Sequence, residues 1–176
     1  MDVSTMTQAT GMAPHEGLLQ WFQTHGVEYE VHEHAPTVTA LETAHSEGVD
    51  ARRFAKCVAV VTAEGRHALV VVEAAERLDL GKACDVLDTD HVRLLSEAEL
   101  FDLAPECEIG TIPPIGELWG VPVYADTSLR NADMVSFHAG SHRFTVHVLR
   151  SAWVTAAHVI YGDLAADDGR PAWASN

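Results

Sequence analysis

Two valine-rich segments on either side of the dipeptide Glu64-Gly65 constrain the fold of this chain more than any other feature. They read CVAVVT and HALVVVE and lie between residues 57 and 73. Nearly continuous apolar, β-branched runs that flank a turn dipeptide predict a β-hairpin whose strands are largely buried. We therefore expect this hairpin to lie in the core of the fold.

Helices and further strands are predicted around the hairpin. Helical patterns cover residues 16–24, 39–48, 80–87, a short segment opening at Ser96, and 151–159, and strand patterns cover 27–32, 91–95, 121–125, 134–137 and 144–149. Thr39 with Glu42, and Ser96 with Glu99, have the spacing of a capping box. Because the strands mostly meet through turns or short helices, the pattern predicts an α+β (mixed α/β) fold with a largely antiparallel sheet flanked by helices.

The length of 176 residues and the absence of a break in composition predict one domain, which we place at residues 15–162. Residues 1–14 are expected to form a disordered lead and residues 163–176 a loose tail. No apolar stretch approaches the roughly 20 residues that cross a bilayer, and no secretion signal is present, so we expect a cytoplasmic protein without membrane contact.

The charge balance limits the possible partners. Eleven basic residues against 26 acidic ones give a net charge of −15, which disfavours unaided binding to nucleic acid and excludes DNA as an expected partner. The three cysteines lack CxxC spacing, so the sequence supports neither a disulfide framework nor a thiolate zinc site.

Lys56 stands apart because it is one of two lysines in the chain and begins its most apolar strand, in RRFAKCVAVV. An ammonium group there is costly unless it reaches water or meets an anionic group. Its position leaves two interpretations open. It is either a strand-end lysine whose amine reaches solvent, or a cation at the mouth of a pocket, with Arg52 and Arg53 adding to a positive rim.

A stiff loop, GTIPPIG, runs from Gly110 to Gly116. Glycine at position 110 permits the close approach of a ligand, and Pro113 and Pro114 restrict the backbone that follows. Such a loop is suited to present fixed N–H groups to a developing oxyanion. A rigid connector between a helix and a strand would have the same composition.

The eleven histidines form no HExxH motif, and no CxxC pair accompanies an H-x-E, so the sequence predicts no metal site and no cofactor. The segment FHAGSHRFTVHV is more informative. Its Gly140-Ser141 turn places His138 and Ser141 near the end of a sheet, where binding residues often lie. Ser141 has no GxSxG elbow, so covalent catalysis is not expected.

Five segments, in this order, resemble the YbaK/prolyl-tRNA-synthetase-associated domain family of aminoacyl-tRNA deacylases. They are HAPTVTALETA, the strand that Lys56 begins, RLDLGKACDVL, the GxxxPxG loop with its following ELWGVPVYADTSL, and FHAGSH. The resemblance covers about residues 18–159 and is closest to the free-standing members. It implies a mixed α/β fold around a curved sheet and hydrolysis of mischarged tRNA, typically alanyl or cysteinyl esters on proline tRNA.

The resemblance also implies roles for individual residues. Lys56 would contact the phosphate or ribose of the terminal adenosine, and backbone amides at Gly110 would approach the scissile carbonyl. His138 and Ser141 match a histidine and a small hydroxyl residue found at these positions in branches of the family. The alanine-specific branch has asparagine after the lysine, where this chain has Cys57. The remaining substrate contacts implied are His34, Thr39, Thr111, Ile112, Pro114, Gly116, Asp126 and Gly140.

The implied mechanism uses no protein nucleophile: positioned water attacks the ester, and pocket volume selects the amino acid. The implied partners are the 3′ end of aminoacyl-tRNA and prolyl-tRNA synthetase. The net charge of −15 predicts either weak affinity for tRNA or recruitment through a synthetase. One alternative is a non-catalytic module that binds an aminoacyl-nucleotide or the tRNA 3′ end. Another is a metal-dependent hydrolase that uses the histidines.

Overall fold

The computed structural model describes residues 12–167 as five α-helices and eight strands. The helices are α1 (Glu16–His25), α2 (Ala40–Glu47), α3 (Leu80–Leu87), α4 (Glu97–Leu103) and α5 (Arg150–Ala156). The strands are β1 (Tyr29–Glu33), β2 (Ala55–Thr62), β3 (His67–Glu73), β4 (Val92–Leu94), β5 (Val123–Asp126), β6 (Met134–His138), β7 (Phe144–Leu149) and β8 (Ile160–Gly162). Within this range no helix is long and apolar enough to span a bilayer.

The predicted hairpin is confirmed and lies at the centre of a five-stranded sheet. β2 and β3 pair antiparallel, and the order of strands is β4-β2-β3-β5-β8, with β5 and β8 parallel to their neighbours. β3 is buried on both faces: Leu69 and Val71 enter the main core, whereas Val70 and Val72 pack beneath α3. This double burial explains why its sequence is apolar without alternation.

A second, three-stranded antiparallel sheet has the order β1-β7-β6. The strand pattern predicted one largely antiparallel sheet, and the strands instead divide between two. A bridge between Phe54 and Ser136, in which Ser136 N donates to Arg53 O, joins the two sheets just before β2 begins. The main core fills the space between them, with Phe22, Phe137 and Trp153 among its largest buried side chains. The α+β class is confirmed.

Both predicted capping boxes are present. Thr39 caps α2 with Glu42 as its reciprocal partner, and Ser96 caps α4 with Glu99. Gly48 ends α2 with a φ of +67°. These local signals fix where α2 begins and ends, and α2 contributes to the site described below.

The start of the expected loose tail is packed. No strand was predicted at residues 160–162, yet β8 pairs with β5, and Leu164 beyond it is fully buried. Asp126 holds this segment by accepting hydrogen bonds from Leu164 N at 2.8 Å and Ala165 N at 2.9 Å. The cause is tertiary pairing, which a three-residue strand does not reveal locally. Residues 1–11 of the predicted lead and 168–176 of the predicted tail lie outside the described residues.

Candidate active site

A cavity of about 320 Å³ opens at the free edge of β2. β4 pairs with β2 only from Val60 to Thr62, so among the described strands none covers the earlier part of β2 on this side. Residues 55–59 line the cavity along this edge, and α2, α4 and the loop through Gly110 close it. The cavity therefore lies where a strand edge, a helix start and a stiff loop meet.

The free edge supplies backbone groups as well as side chains. Ala59 O accepts a hydrogen bond from Leu95 N on this side of β2. Backbone groups two residues apart on a strand point the same way, so the N–H and C=O of Cys57 face the same uncovered edge. A bound ligand could pair with them as an added strand would. Because every residue type carries these groups, no sequence motif indicated them.

Lys56 lines this cavity, as does Gly110. The alternation of β2 places the Lys56 side chain on the face of Val58 and Val60, opposite to that of Cys57. Its half-buried amine donates a hydrogen bond to the carbonyl oxygen of Glu76. Burial lowers the pKa of this amine, and the nearby Glu76 carboxylate opposes that shift. An ammonium group has three donors, so one bond to Glu76 leaves two for a ligand.

The loop at Gly110 has the conformation that its glycine suggests. Gly110 has a φ of +83°, in the region that side-chain-bearing residues avoid, and a Cβ placed there would meet no atom within 4 Å. Within residues 12–167, neither Ile109 nor Gly110 donates its backbone N–H to a protein acceptor. Two neighbouring N–H groups at the wall of the cavity are therefore available to a ligand.

Glu108 braces this loop against the turn that follows β6. Its N–H donates to Gly140 O at 3.0 Å, and its carboxylate accepts from His142 N at 2.6 Å. Its carbonyl oxygen accepts from both the N–H and the hydroxyl of Thr111. Gly140 N donates in turn to Thr111 O at 3.0 Å. Loop and turn thus form one rigid unit, which fixes the backbone at Gly110.

His138 lines the cavity from the end of β6 and is only 5% exposed. Burial lowers the pKa of its imidazole to about 4, assisted by His142 and His34 and opposed by Glu47. The ring is therefore neutral near pH 7. Its Nε2 atom lies 2.9 Å from the Thr43 hydroxyl on α2, which couples the helix to the site.

Two cysteines belong to the wall of the cavity. Burial raises the pKa of the Cys57 thiol, and the neighbouring Cys107 adds to this effect. Burial also raises the pKa of Cys107, to about 12, with a further contribution from Glu106. Both groups stay protonated near neutral pH, and a thiol without thiolate character is a poor nucleophile. They serve instead as small apolar wall groups beside residues such as Ala55, Ala59, Leu95, Leu100, Ala104 and Ile112.

The structure brings together part of the predicted site. Five predicted residues line the cavity: Lys56, Gly110, His138, Thr39 and Ile112. Seven others do not: His34, Thr111, Pro114, Gly116, Asp126, Gly140 and Ser141. Thr111 and Gly140 brace the loop, as described above. Ser141 is fully buried, and its hydroxyl accepts a hydrogen bond from Arg143 N at 3.0 Å.

Three of the residues outside the cavity have evident packing roles. A Cβ on Gly116 would lie 1.9 Å from Val121 O, so the backbone there passes too close for any side chain. Pro114 O accepts a hydrogen bond from the buried Trp153 indole at 3.0 Å. Asp126 is 4% exposed and holds the start of the C-terminal tail. The GxxxPxG motif is thus partly a packing motif.

The predicted positive rim is weaker than expected. Arg52 forms an ion pair with Asp50, with Nη2 and Oδ2 2.8 Å apart. This contact offsets one of the two arginine charges that precede Lys56. Glu108 and Thr43 were not predicted, because their roles depend on contacts with His142 and His138, which lie 34 and 95 positions away along the chain, respectively.

The chain is similar to a known family of domains and to several solved structures. Residues 34–155 match the model of the aminoacyl-tRNA editing domain. A proposed trans-editing enzyme for prolyl-tRNA synthetase has a similar structure, with 25% identity, a TM-score of 0.74, and coverage of 85% of this chain and 94% of that one. No curated protein sequence is significantly similar to this chain.

Two further solved structures have the same fold. A scaffold protein from work on computational epitope grafting is 26% identical, with a TM-score of 0.75 over 85% of this chain and 94% of its own. The hypothetical protein APE2540 is 21% identical, with a TM-score of 0.78 over 86% of this chain and all of its own. The matches span nearly the whole of each of these chains.

Proposed function

The chain belongs to the aminoacyl-tRNA editing domain family, and from this membership we propose that it is a trans-editing deacylase that hydrolyses the ester bond of mischarged tRNA. The observation that carries the proposal is the shared cavity. Lys56, the loop at Gly110 and His138 come from distant parts of the chain and line one space. The proposed substrates are alanyl or cysteinyl esters of proline tRNA. The similarity to a proposed trans-editing enzyme for prolyl-tRNA synthetase supports the choice of proline tRNA.

The acyl group would occupy the apolar part of the cavity. Its volume of about 320 Å³ is at the small end of ligand pockets, and alanine and leucine side chains form much of the wall. Selection by size requires the acyl group to fit one part of this cavity closely, because a close fit excludes a larger amino acid by steric clash, whereas one methylene fewer costs only about 1–3 kcal/mol. Such a fit would admit alanine or cysteine and reject a larger amino acid.

The loop would stabilise the transition state. Water attacks the ester carbonyl carbon, a new C–O bond forms, and negative charge develops on the carbonyl oxygen. The unpaired N–H groups of Ile109 and Gly110 are suited to receive this charge. An oriented oxyanion donor lowers the barrier by about 3 kcal/mol. The bond to the ribose oxygen then breaks, the proton lost by water passes to that oxygen, and the free amino acid leaves.

His138 would position water rather than take its proton. A histidine with a pKa of about 4 is a weak base at pH 7, because catalytic efficiency is greatest when the pKa lies near the working pH. Its neutral ring remains a good hydrogen-bond acceptor. The adjacent ribose hydroxyl of the substrate would then relay the proton, so the step needs no protein nucleophile.

Lys56 would bind the terminal adenosine rather than the amino acid. Its side chain leaves β2 on the face opposite to Cys57, whose thiol belongs to the apolar wall. A partly desolvated ammonium with two free donors suits a phosphate or ribose oxygen. The net charge of −15 opposes tight unaided tRNA binding, so recruitment through prolyl-tRNA synthetase completes the proposal.

A deacylation assay tests the proposal. Wild type, Lys56→Ala and Lys82→Ala are incubated with a panel of mischarged tRNAs that includes alanyl- and cysteinyl-tRNA(Pro). Lys82 is the matched control, because it is the other lysine and bonds Asp163 and Ala165 away from the cavity. We expect wild type and Lys82→Ala to release the amino acid, and Lys56→Ala to lose at least tenfold in kcat/KM.

Two outcomes would contradict the proposal. Absence of hydrolysis by wild type across the panel, with retained binding of an aminoacyl-adenosine analogue, would identify a non-catalytic binding module instead. Equal turnover by all three proteins would remove Lys56 from the site.

A further inference from the structure

Three potential metal ligands converge at a place that the cavity does not include. His32 lies on β1, Glu47 is the last residue of α2, and His147 lies on β7. One ligand atom from each lies within 4.8 Å of the other two, and this is the one such group found within residues 12–167. The Glu47 and His147 side chains are 5% and 14% exposed, whereas His32 reaches solvent. Helix and sheet thus bring their donors to one point.

His147 and Glu47 lie close together without a hydrogen bond between them. His147 Nε2 lies 3.4 Å from Glu47 Oε2, and both atoms are buried without a partner. A charge-assisted N–H···O bond would draw them to about 2.7–2.9 Å. Two ligands of a tetrahedral zinc ion, each about 2.0–2.1 Å from the metal, are instead about 3.4 Å apart. The spacing therefore fits a shared ion better than a shared proton.

Neighbouring hydroxyl groups hold the two donors in place. The Thr145 hydroxyl donates to Glu47 Oε1, and the Ser136 hydroxyl bonds His147 Nδ1 at 2.8 Å. Because these bonds use Oε1 of Glu47 and Nδ1 of His147, they leave Oε2 of Glu47 and Nε2 of His147 facing each other. Such outer contacts orient the ligands in protein metal sites.

His34 adds a further nitrogen beside the same carboxylate. Its Nδ1 donates to Ala35 O at 2.7 Å, so in the neutral ring the lone pair is on Nε2. That atom is buried without a partner and lies 4.0 Å from Glu47 Oε1. Unpaired buried polar atoms are costly, and here two unpaired imidazole nitrogens lie beside a carboxylate whose Oε2 is itself unpaired.

We propose that His32, Glu47 and His147 form a binding site for a divalent transition metal, with zinc as the best-matched ion. Two imidazoles and one carboxylate are donors that zinc accepts, and an exposed fourth position is left for water. The ion would fasten the end of α2 to the three-stranded sheet. Because Thr39 and Ala40 of the same helix line the cavity, the ion would also stabilise one of its walls.

Zinc binding by the tag-free, chelator-treated full chain tests the site. Equilibrium dialysis against zinc chloride compares wild type with His32→Gln, Glu47→Gln and His147→Gln. His45→Gln is the matched control, because His45 is an exposed histidine on the same helix. We expect one zinc ion per chain in wild type and the control, and at least tenfold weaker binding in the three variants. Zinc should raise the Tm of wild type and the control alone.

The design separates the possible failures. Wild type without stoichiometric zinc binding, or binding unchanged in all three variants, overturns the proposal. A second result would also overturn it: zinc changes the stability of none of the proteins, but Glu47→Gln and His147→Gln alter the pH dependence of stability. In that case Glu47 and His147 share a proton rather than a metal ion. His32→Gln keeps the test valid if the buried variants fail to fold. None of these measurements uses deacylation, so the site and the proposed function fail independently.

Discussion

The Nε2 atom of His138 lies 2.9 Å from the hydroxyl oxygen of Thr43, and this contact ties the imidazole to α2. The Thr43 hydroxyl has one proton, and its other neighbours are Thr39 O at 2.8 Å and Thr37 Oγ1 at 2.6 Å. Because a carbonyl oxygen can only accept, we assign the proton to the bond with Thr39 O, which leaves the ring to donate to Thr43. The Nε2 atom therefore carries the proton of the neutral ring, and Nδ1 carries the lone pair. A helix that begins at a capping box thus sets the chemistry of a residue 95 positions away.

Removing this hydroxyl should affect both stability and turnover. Thr43→Val keeps the shape of the side chain but leaves the His138 N–H buried without an acceptor, which costs about 1–3 kcal/mol of unfolding free energy. A misoriented ring should also lower deacylation by about tenfold, equivalent to 1.4 kcal/mol. Urea unfolding and single-turnover deacylation measure the two effects. Thr43→Ser keeps the hydroxyl and should remain near wild type, and a Thr43→Val protein equal to wild type in both assays would contradict the prediction.

The pH dependence of stability should report His138. Its pKa of about 4 lies below the ordinary value of 6.5, because burial, His142 and His34 outweigh the opposing Glu47 carboxylate. The unfolded chain therefore binds the proton more readily, and the ring's contribution is complete above pH 6.5 and is lost as pH falls toward 4. The loss is roughly 3 kcal/mol at most.

Comparison with a variant isolates this contribution from that of the carboxylates. Urea unfolding of wild type and His138→Gln from pH 4 to 7.5 should give curves that converge as the pH falls, because glutamine does not titrate. If the difference in unfolding free energy between the two proteins stayed constant over this range, the pKa of His138 would be the same in the folded and unfolded chains, which would contradict the prediction.

The parts of the fold that follow from local signals were predictable. The Glu64-Gly65 hairpin, the two capping boxes and Gly48 at the end of α2 each depend on neighbouring residues, and the structure confirms all of them. β8 escaped prediction because its three residues become a strand only through pairing with β5. The division into two sheets likewise depends on long-range pairing, which a strand pattern does not encode.

The candidate site likewise contains residues that the sequence predicted and residues that only the fold reveals. Lys56 and Gly110 were identifiable because each is unusual in its own segment, a cation beside an apolar run and a glycine in a stiff loop. Glu108 was not, since one more acidic residue in a chain with 26 carries no signal, and its role comes from His142 and Gly140. The convergence of His32 with His147 was equally hidden, because β1 and β7 meet only in the folded sheet.

Adding a methyl group at Gly110 should impair hydrolysis with little effect on packing. Gly110→Ala meets no atom within 4 Å, so its cost is the strain of a positive φ, about 1–2 kcal/mol. If the backbone relaxes to relieve that strain, the peptide groups rotate and the N–H groups of Ile109 and Gly110 no longer point at the oxyanion. We therefore expect at least a tenfold loss of kcat. Gly65→Ala is the matched control, since Gly65 has a φ of +80°, equally open surroundings, and a place in the β2–β3 turn. Equal losses of activity in the two variants would show that the effect comes from instability alone.

Asp126 should prove to be a residue of the fold rather than of the substrate site. Its carboxylate accepts three backbone hydrogen bonds, from Ser128 N at 3.0 Å and from Leu164 N and Ala165 N. Asp126→Asn removes the charge and turns one acceptor into a donor that opposes an N–H group, which should lower the unfolding free energy by about 2–4 kcal/mol.

Activity and proteolysis distinguish the two roles of Asp126. If the carboxylate only holds the start of the tail, kcat/KM per folded molecule stays at the wild-type value, and limited proteolysis cuts near residues 163–167 more readily. Asp163→Asn changes an exposed carboxylate in the same segment, one paired with Lys82, and should shift stability by less than about 0.5 kcal/mol. If Asp126→Asn lost hydrolysis while its unfolding free energy stayed at the wild-type value, Asp126 would instead belong to the substrate site. A carboxylate that only supports the fold cannot change turnover without changing stability.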